Sequence, residues 1–209
     1  MFPILDPARP RHLGVVIADV SGKGIAAALL MAFVRPILRS AIDRTGDPVE
    51  ALERTNRILV EERRTGLFVT VLAGVLNLDT GVLTFASAGH EPPLLATRDG
   101  GLRWVEGCGP LLGLFDRLNL GARDVELRPG DRLALYTDGI TDAAAPDRQR
   151  FGDQRLRATI AGSVGDTADD TTRRVIDSVL AFQGEADPAD DLALLVIRRL
   201  PRSDAPERS

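Results

Sequence analysis

The chain has 209 residues, 44% of them apolar, with 26 basic against 30 acidic residues and a net charge of −4. That apolar content can close a sizeable core in one domain, and the scattered basic residues form no stripe of the kind that grips nucleic acid. A single cysteine, Cys108, excludes an internal disulfide and a cysteine metal cluster; with no apolar stretch reaching the roughly 18 residues that span a bilayer and no signal-like start, the chain reads as soluble and cytoplasmic, without a membrane partner.

In chain order, "HLGVVIADV" (12–20) is an apolar, β-branched run that predicts a buried strand, and "GIAAALLMAFVRPILRSAI" is apolar at helical spacing. Pro36 should kink or stagger that helix, because it removes a backbone donor and crowds the preceding turn. A second helix is expected over 48–64, with Asp47 as N-cap and Pro48 at the first helical position. "LFVTVLAGVLNL" and "GVLTFASAG" flank a tight "DTG" turn and predict a hairpin, followed by strand-like "PPLLAT", "LRWVE" and "DRLALYTD". Helical patterns return at about 152–161 and 166–182, where Val175, Ile176, Val179 and Leu180 form an apolar stripe. "DLALLVIRR" is the last strand, and 200–209 reads as a disordered tail. The Arg pairs at 63–64, 173–174 and 198–199 read as solvated faces. Hairpins in the middle with helices grouped before and after predict an α+β fold of mainly antiparallel sheets covered by helices.

Three carboxylate positions stand at strand ends: Asp19 after "VVIA", Asp138 after "LALYT", and the Asp190/Asp191 pair before "LALLVI". If their strands are neighbours, these acids meet at one sheet edge, where like charges repel unless a cation lies between them. Oxygen-only donors without a His or Cys cluster suit Mg²⁺ or Mn²⁺ better than Zn²⁺. The competing expectation is that Asp19 or Ser21 caps the following helix. "SGKG" is not a phosphate loop: Ile17 stands where a Walker A glycine belongs, and Gly24 where Ser or Thr belongs. "SAGH" (87–90) lacks the surroundings of a nucleophile elbow, so His90 is expected to fix the turn before Pro92 and Pro93.

Taken together, "DVSGKGIAAALLMA", "SAGHEPPLL", "GPLLGL", "LRPGDRLALYTDGITDA", "FGDQRL" and "DDLALLVIR" resemble, in order, the motifs of the SpoIIE/RsbU-like bacterial serine/threonine phosphatases of the metal-dependent 2C-type (PPM) class. The resemblance runs from about Leu13 to Arg199. It implies an α-β-β-α sandwich over 1–199 and a two-ion Mn²⁺ or Mg²⁺ site. It also implies hydrolysis of phosphoserine or phosphothreonine on a regulatory protein, such as an anti-sigma factor antagonist in a partner-switching pathway, and it leaves a homodimer open. By matching motifs, the metal ligands and catalytic carboxylates would be Asp19, Asp138 and Asp190, with the Val20 backbone carbonyl beside Asp19 and Asp191 the less favoured member of its pair. The loop region 137–152 would border the substrate cleft. The family pattern also has a Gly-Gly-Asp motif upstream of "DVSGKG", and these 209 residues contain none. The expected domain is therefore N-terminally truncated, Asp6 being a poor substitute at a hairpin turn. The alternative function is a non-catalytic module that binds the phosphoprotein or its kinase.

Overall fold

A computed structural model describes residues 1–6, 8–61, 66–107, 109–186 and 190–201. Cys108, the Arg63–Arg64 pair, the last residues of the expected second helix and the tail beyond Pro201 lie outside them. The described chain forms two antiparallel sheets and five helices, an α+β fold, and divides into two compact units.

The first unit comprises residues 1–93, 105–126 and 135–138. Its sheet has the order β1-β2-β3-β4-β7, from strands β1 (Phe2–Pro3), β2 (His12–Val20), β3 (Val69–Asn77), β4 (Val82–Ala88) and β7 (Arg123–Glu126). Strands β2 and β3 pair along their whole length, from His12 opposite Asn77 to Val20 opposite Val69. The expected β3–β4 hairpin forms, closed by Asn77, whose Oδ1 accepts the Asp79 and Thr80 amides at 2.9 and 3.1 Å. Side chains alternate across the pleat, so Val20, Val69, Val71, Ala73 and Val75 share one face. They pack there with Val34, Leu38 and Ile42 of helix α1 (Ile25–Thr45) and Leu52 of α2 (Pro48–Glu61). Each such fully buried branched side chain stabilises the fold by about 1.5–3 kcal/mol.

The α2 cap forms as expected: Asp47 Oδ1 accepts from the Val49 and Glu50 amides at 2.8 and 3.3 Å. Helix α1 runs unbroken through Pro36. The expectation that no segment could span a bilayer needs correction for this helix, which is long and apolar enough by length and composition, with a mean hydropathy of 1.7. Its stripe of Ala27, Val34, Leu38, Ala41 and Ile42 packs into the core, while Ile25, Leu29 and Phe33 on the same helix are exposed.

The second unit comprises 94–104, 127–134 and 139–209. Its sheet has the order β6-β5-β8-β9, from β5 (Leu94–Ala96), β6 (Leu102–Trp104), β8 (Arg132–Tyr136, whose last residues belong to the first unit) and β9 (Leu194–Arg198). Helices α3 (Asp138–Thr141), α4 (Gly152–Ala161) and α5 (Ala168–Gln183) complete it, Asp138 itself being counted in the first unit. Val175 and Val179 of the expected α5 stripe are fully buried, whereas Leu180 is 51% exposed. The buried Arg132 donates through Nη1 to the carbonyl and hydroxyl of Ser163, and burial lowers its pKa. Asp131 accepts the Arg98 and Arg128 amides at 2.9 and 2.8 Å. Arg173 and Arg174 pair with Asp170 and Asp166, but Arg199 departs from the solvated reading and donates to the Leu127 carbonyl.

Candidate active site

Asp19 stands opposite Thr70 in the β2–β3 ladder, one residue from the pair Val20 and Val69. Directly opposed residues of an antiparallel pair share a face. Since Val20 and Val69 face α1 and α2, Asp19 and Thr70 face away from those helices.

Beyond Val20 the two strands stay tied. The Ser21 amide donates to the Phe68 carbonyl, and the Phe68 amide donates to Ser21 Oγ, each at 2.9 Å. The chain then turns through Gly22 and Gly24, both at positive φ, and Gly24 is the N-cap of α1 without a side-chain hydrogen bond. The helix-cap expectation for Asp19 or Ser21 is thereby overturned. Ser21 Oγ is engaged with Phe68, just before β3, and the N-cap position itself is occupied by glycine.

His90 links this edge to the end of β8. Its Nδ1 is 3.0 Å from the Thr70 hydroxyl, and its ring lies near the Tyr136 backbone carbonyl, although Nε2 completes no hydrogen bond. Burial lowers the His90 pKa to about 4, with the Tyr136 carbonyl opposing the shift, so the imidazole is neutral at pH 7. This corrects the expected role of His90. The turn after β4 is closed by Ser87, whose buried hydroxyl donates to the His90 carbonyl at 3.1 Å, which leaves the imidazole to reach across to β3. Within the first unit, Asp19, Thr70, His90 and Tyr136 thus form one connected run, and Asp138 follows two residues after Tyr136, exposed at the start of α3. Thr70 had no signal in the sequence, since its role depends on register and on a histidine distant in the chain.

In the second unit, β8 and β9 are neighbours, and the end of β9 bonds the start of β8: the Gly130 amide donates to the Arg199 carbonyl at 2.8 Å and the Arg199 amide to the Asp131 carbonyl at 3.1 Å. The strands therefore run antiparallel. A Cβ on Gly139 would collide with the Asp191 carbonyl, so the residue after Asp138 must be glycine for this backbone approach. Both acids are exposed, and Asp190 Oδ1 accepts the Asp191 amide at 2.9 Å. The expected polar loop after β8 contains the single turn α3, a bridge between Ala144 and Arg150, and an Asp142–Arg150 ion pair at 2.7 Å.

The expected ligand set, three carboxylates and one backbone carbonyl, is all hard oxygen, the chemistry of Mg²⁺ or Mn²⁺. Among the described residues, however, no three His, Cys, Asp or Glu side chains gather closely enough to hold one ion. Asp6 cannot complete such a group at Asp19. It sits in the β1–β2 hairpin, where its carboxylate accepts the Ala8 amide, at the His12 end of a strand about 26 Å long.

Against known proteins, residues 9–200 match the family model of stage II sporulation protein E (SpoIIE). The chain is 29% identical over 195 residues to the phosphoserine phosphatase RsbU of Bacillus subtilis, covering 90% of this chain and 56% of that protein. It is 30% identical to the protein IcfG of Synechocystis over 73% of this chain and 28% of that protein, so it spans little more than half of these relatives at most. Among solved structures, the RsbU and RsbW domains of Rv1364c from Mycobacterium tuberculosis superpose with a TM-score of 0.76 at 30% identity, covering 92% of this chain and 55% of that one. The SiaA-PP2C domain of Pseudomonas aeruginosa shares the fold with the same score at 21% identity, covering 90% and 79%.

Proposed function

This chain belongs to the stage II sporulation protein E (SpoIIE) family, and from that premise we propose that it is a metal-dependent protein serine/threonine phosphatase. Its substrate class is a regulatory protein phosphorylated on serine or threonine, of the anti-sigma factor antagonist kind. The observation that carries the reading is the ladder pair of Asp19 and Thr70, the Thr70 hydroxyl being 3.0 Å from His90 Nδ1, with the His90 ring near the Tyr136 carbonyl two residues before Asp138.

Asp19, Asp138, Asp190 and the Val20 carbonyl are the groups we assign to Mn²⁺ or Mg²⁺. Two such ions, when bound, supply an activated water and offset the charge of the phosphoryl oxygens. The chain's own contribution is positioning, which phosphoryl transfer demands more than any covalent group. Thr70 and His90 hold the Asp19 strand and the Tyr136 segment in register. The neutral imidazole does so without placing a positive charge that would compete with a cation for the carboxylates. Within the second unit, Gly139 admits the close approach of the Asp190–Asp191 backbone.

A second reading, a phosphoprotein-binding regulator without turnover, is favoured by one observation: among the described residues the acids form no three-member cluster. One assay separates them. The chain as it stands, and a version carrying a Gly-Gly-Asp strand ahead of residue 1, are given Mn²⁺ and a phosphoserine peptide. The phosphatase reading expects weak hydrolysis by the first, strong Mn²⁺-dependent hydrolysis by the second, and loss of turnover with Asp138→Asn at an unchanged melting temperature. Hydrolysis indifferent to Asp19→Asn and Asp138→Asn would place the chemistry elsewhere, and tight phosphoprotein binding with no turnover in either version would establish the regulator.

A further inference from the structure

A hydroxyl can give or take a hydrogen bond, whereas a carbonyl only accepts, and this difference fixes the protons between Tyr136, His90 and Thr70, all in the first unit. His90 is 6% exposed, with Nδ1 3.0 Å from the Thr70 hydroxyl and the ring near the Tyr136 backbone carbonyl. Its Nε2 is buried and completes no hydrogen bond. Burial keeps the ring neutral at pH 7, so it carries one proton. On Nδ1, that proton would leave a bare Nε2 buried in a ring that lies near carbonyl lone pairs. On Nε2, the same carbonyl attracts it. The carbonyl therefore sets the tautomer: Nε2 holds the proton and Nδ1 is the acceptor. A 3.0 Å contact between two lone pairs would be repulsive, so with Nδ1 bare it is the Thr70 hydroxyl that donates.

The consequence falls on Asp19. Thr70 stands opposite it in the ladder and on the same face, and the Cβ atoms of such pairs are about 4.5–5.5 Å apart, so hydroxyl and carboxylate are neighbours. A carboxylate draws a hydroxyl proton more strongly than a neutral acceptor does. Were Nδ1 protonated, the Thr70 oxygen would accept from it, and the hydroxyl proton would turn to Asp19 and occupy a lone pair that a cation needs. In the assigned tautomer that proton is committed to His90.

We propose that the Tyr136 carbonyl, His90 and Thr70 form a proton-orienting relay that keeps the Thr70 hydroxyl from hydrogen-bonding the Asp19 carboxylate and so leaves those oxygens to a divalent cation. The inference rests on the assignment of Asp19 to Mn²⁺ or Mg²⁺ above and adds what guards that ligand. Thr70 and His90 act through Asp19 and are positioning residues, with no bond to the ion or to substrate assigned to either.

Two measurements on the 209-residue chain test the relay, and neither depends on turnover. Nitrogen NMR of the labelled imidazoles at pH 7, with His12→Gln separating the two histidines, reads the tautomer. The expected result is a His90 proton on Nε2; a proton on Nδ1 overturns the relay. Mn²⁺ is then titrated, followed by electron paramagnetic resonance, into the parent, His90→Phe, His90→Gln, Thr70→Val and His90→Phe/Thr70→Val, each checked for its melting temperature. Affinity should fall about ten-fold in His90→Phe, where the released Thr70 proton turns to Asp19. It should stay near the parent value in His90→Gln, whose side-chain oxygen accepts that proton, and in Thr70→Val, which has none. The double variant should regain the affinity that His90→Phe loses. A purely structural role predicts the opposite, a double variant binding as weakly as His90→Phe or more so, and that result overturns the relay. So does an absence of Mn²⁺ binding by the parent. Should His90→Phe fail to fold, the tautomer in the parent decides alone. If tautomer and regained affinity hold while the version carrying an upstream Gly-Gly-Asp strand leaves the phosphoserine peptide intact, the phosphatase reading falls and the relay stands.

Discussion

The His90 imidazole and the Thr70 hydroxyl meet at 3.0 Å, so a residue just after β4 is bonded to the strand position facing Asp19. The ring is 6% exposed, and burial lowers its pKa from 6.5 to about 4.

That shift makes stability depend on pH with a definite sign. The unfolded chain takes up the His90 proton as the pH falls through 6.5, the folded chain only near 4, so between these values protons favour unfolding. The His90 contribution is neutral above pH 6.5 and becomes a loss of at most about 3 kcal/mol as the pH reaches 4, at about 1.4 kcal/mol per pH unit. His90→Gln retains a partner for Thr70 and removes the titration. Urea midpoints at pH 7 and 4.5 should differ less in the variant than in the parent; equal differences would show that His90 is not what makes the fold acid-sensitive.

Gly139→Ala drives a methyl group into the Asp191 carbonyl. The backbone must shift, at a cost of about 1–3 kcal/mol. Gly121→Ala is the control, because its Cβ would meet only the Arg123 guanidinium at an ordinary 3.8 Å. Chemical denaturation should show a loss for Gly139→Ala and little change for Gly121→Ala. Equal midpoints would contradict the close approach of the two segments.

Asp47→Ala removes the carboxylate that accepts the Val49 and Glu50 amides and should cost about 1 kcal/mol, whereas Asp47→Asn should retain most of the cap. Thermal melts of the three proteins decide it: an alanine variant as stable as the asparagine one would mean that Pro48 and packing suffice to start α2.

Arg132→Lys keeps the charge but loses the planar fork that lets Nη1 serve both the carbonyl and hydroxyl of Ser163. With buried Ser163 groups left short of a donor, denaturation should show a loss of about 1–3 kcal/mol. A neutral outcome would mean that the ammonium reaches the same acceptors.

Much of this protein was legible locally. The apolar run 12–20 predicts β2, Asp47–Pro48 predicts the start of α2, and the helical pattern at 152–161 predicts α4, because each signal lies within the few residues that form the element. Strand β7 escaped notice for the converse reason. "RDVE" buries only Val125, and its pairing with β4 is set by the edge position of the strand, without any apolar alternation of its own. The single turn α3 was missed because four residues are too few to display a helical period. The motifs placed Asp19, Asp138 and Asp190 at strand ends, and chain order alone could go no further. That Thr70 faces Asp19, that His90 is buried neutral between Thr70 and the Tyr136 carbonyl, and that Asn56 clamps Gly113 and Phe115 are tertiary facts. Each joins segments separated by long stretches of chain. Their meeting depends on strand register and on closing those loops against chain entropy, which only the packed core compensates.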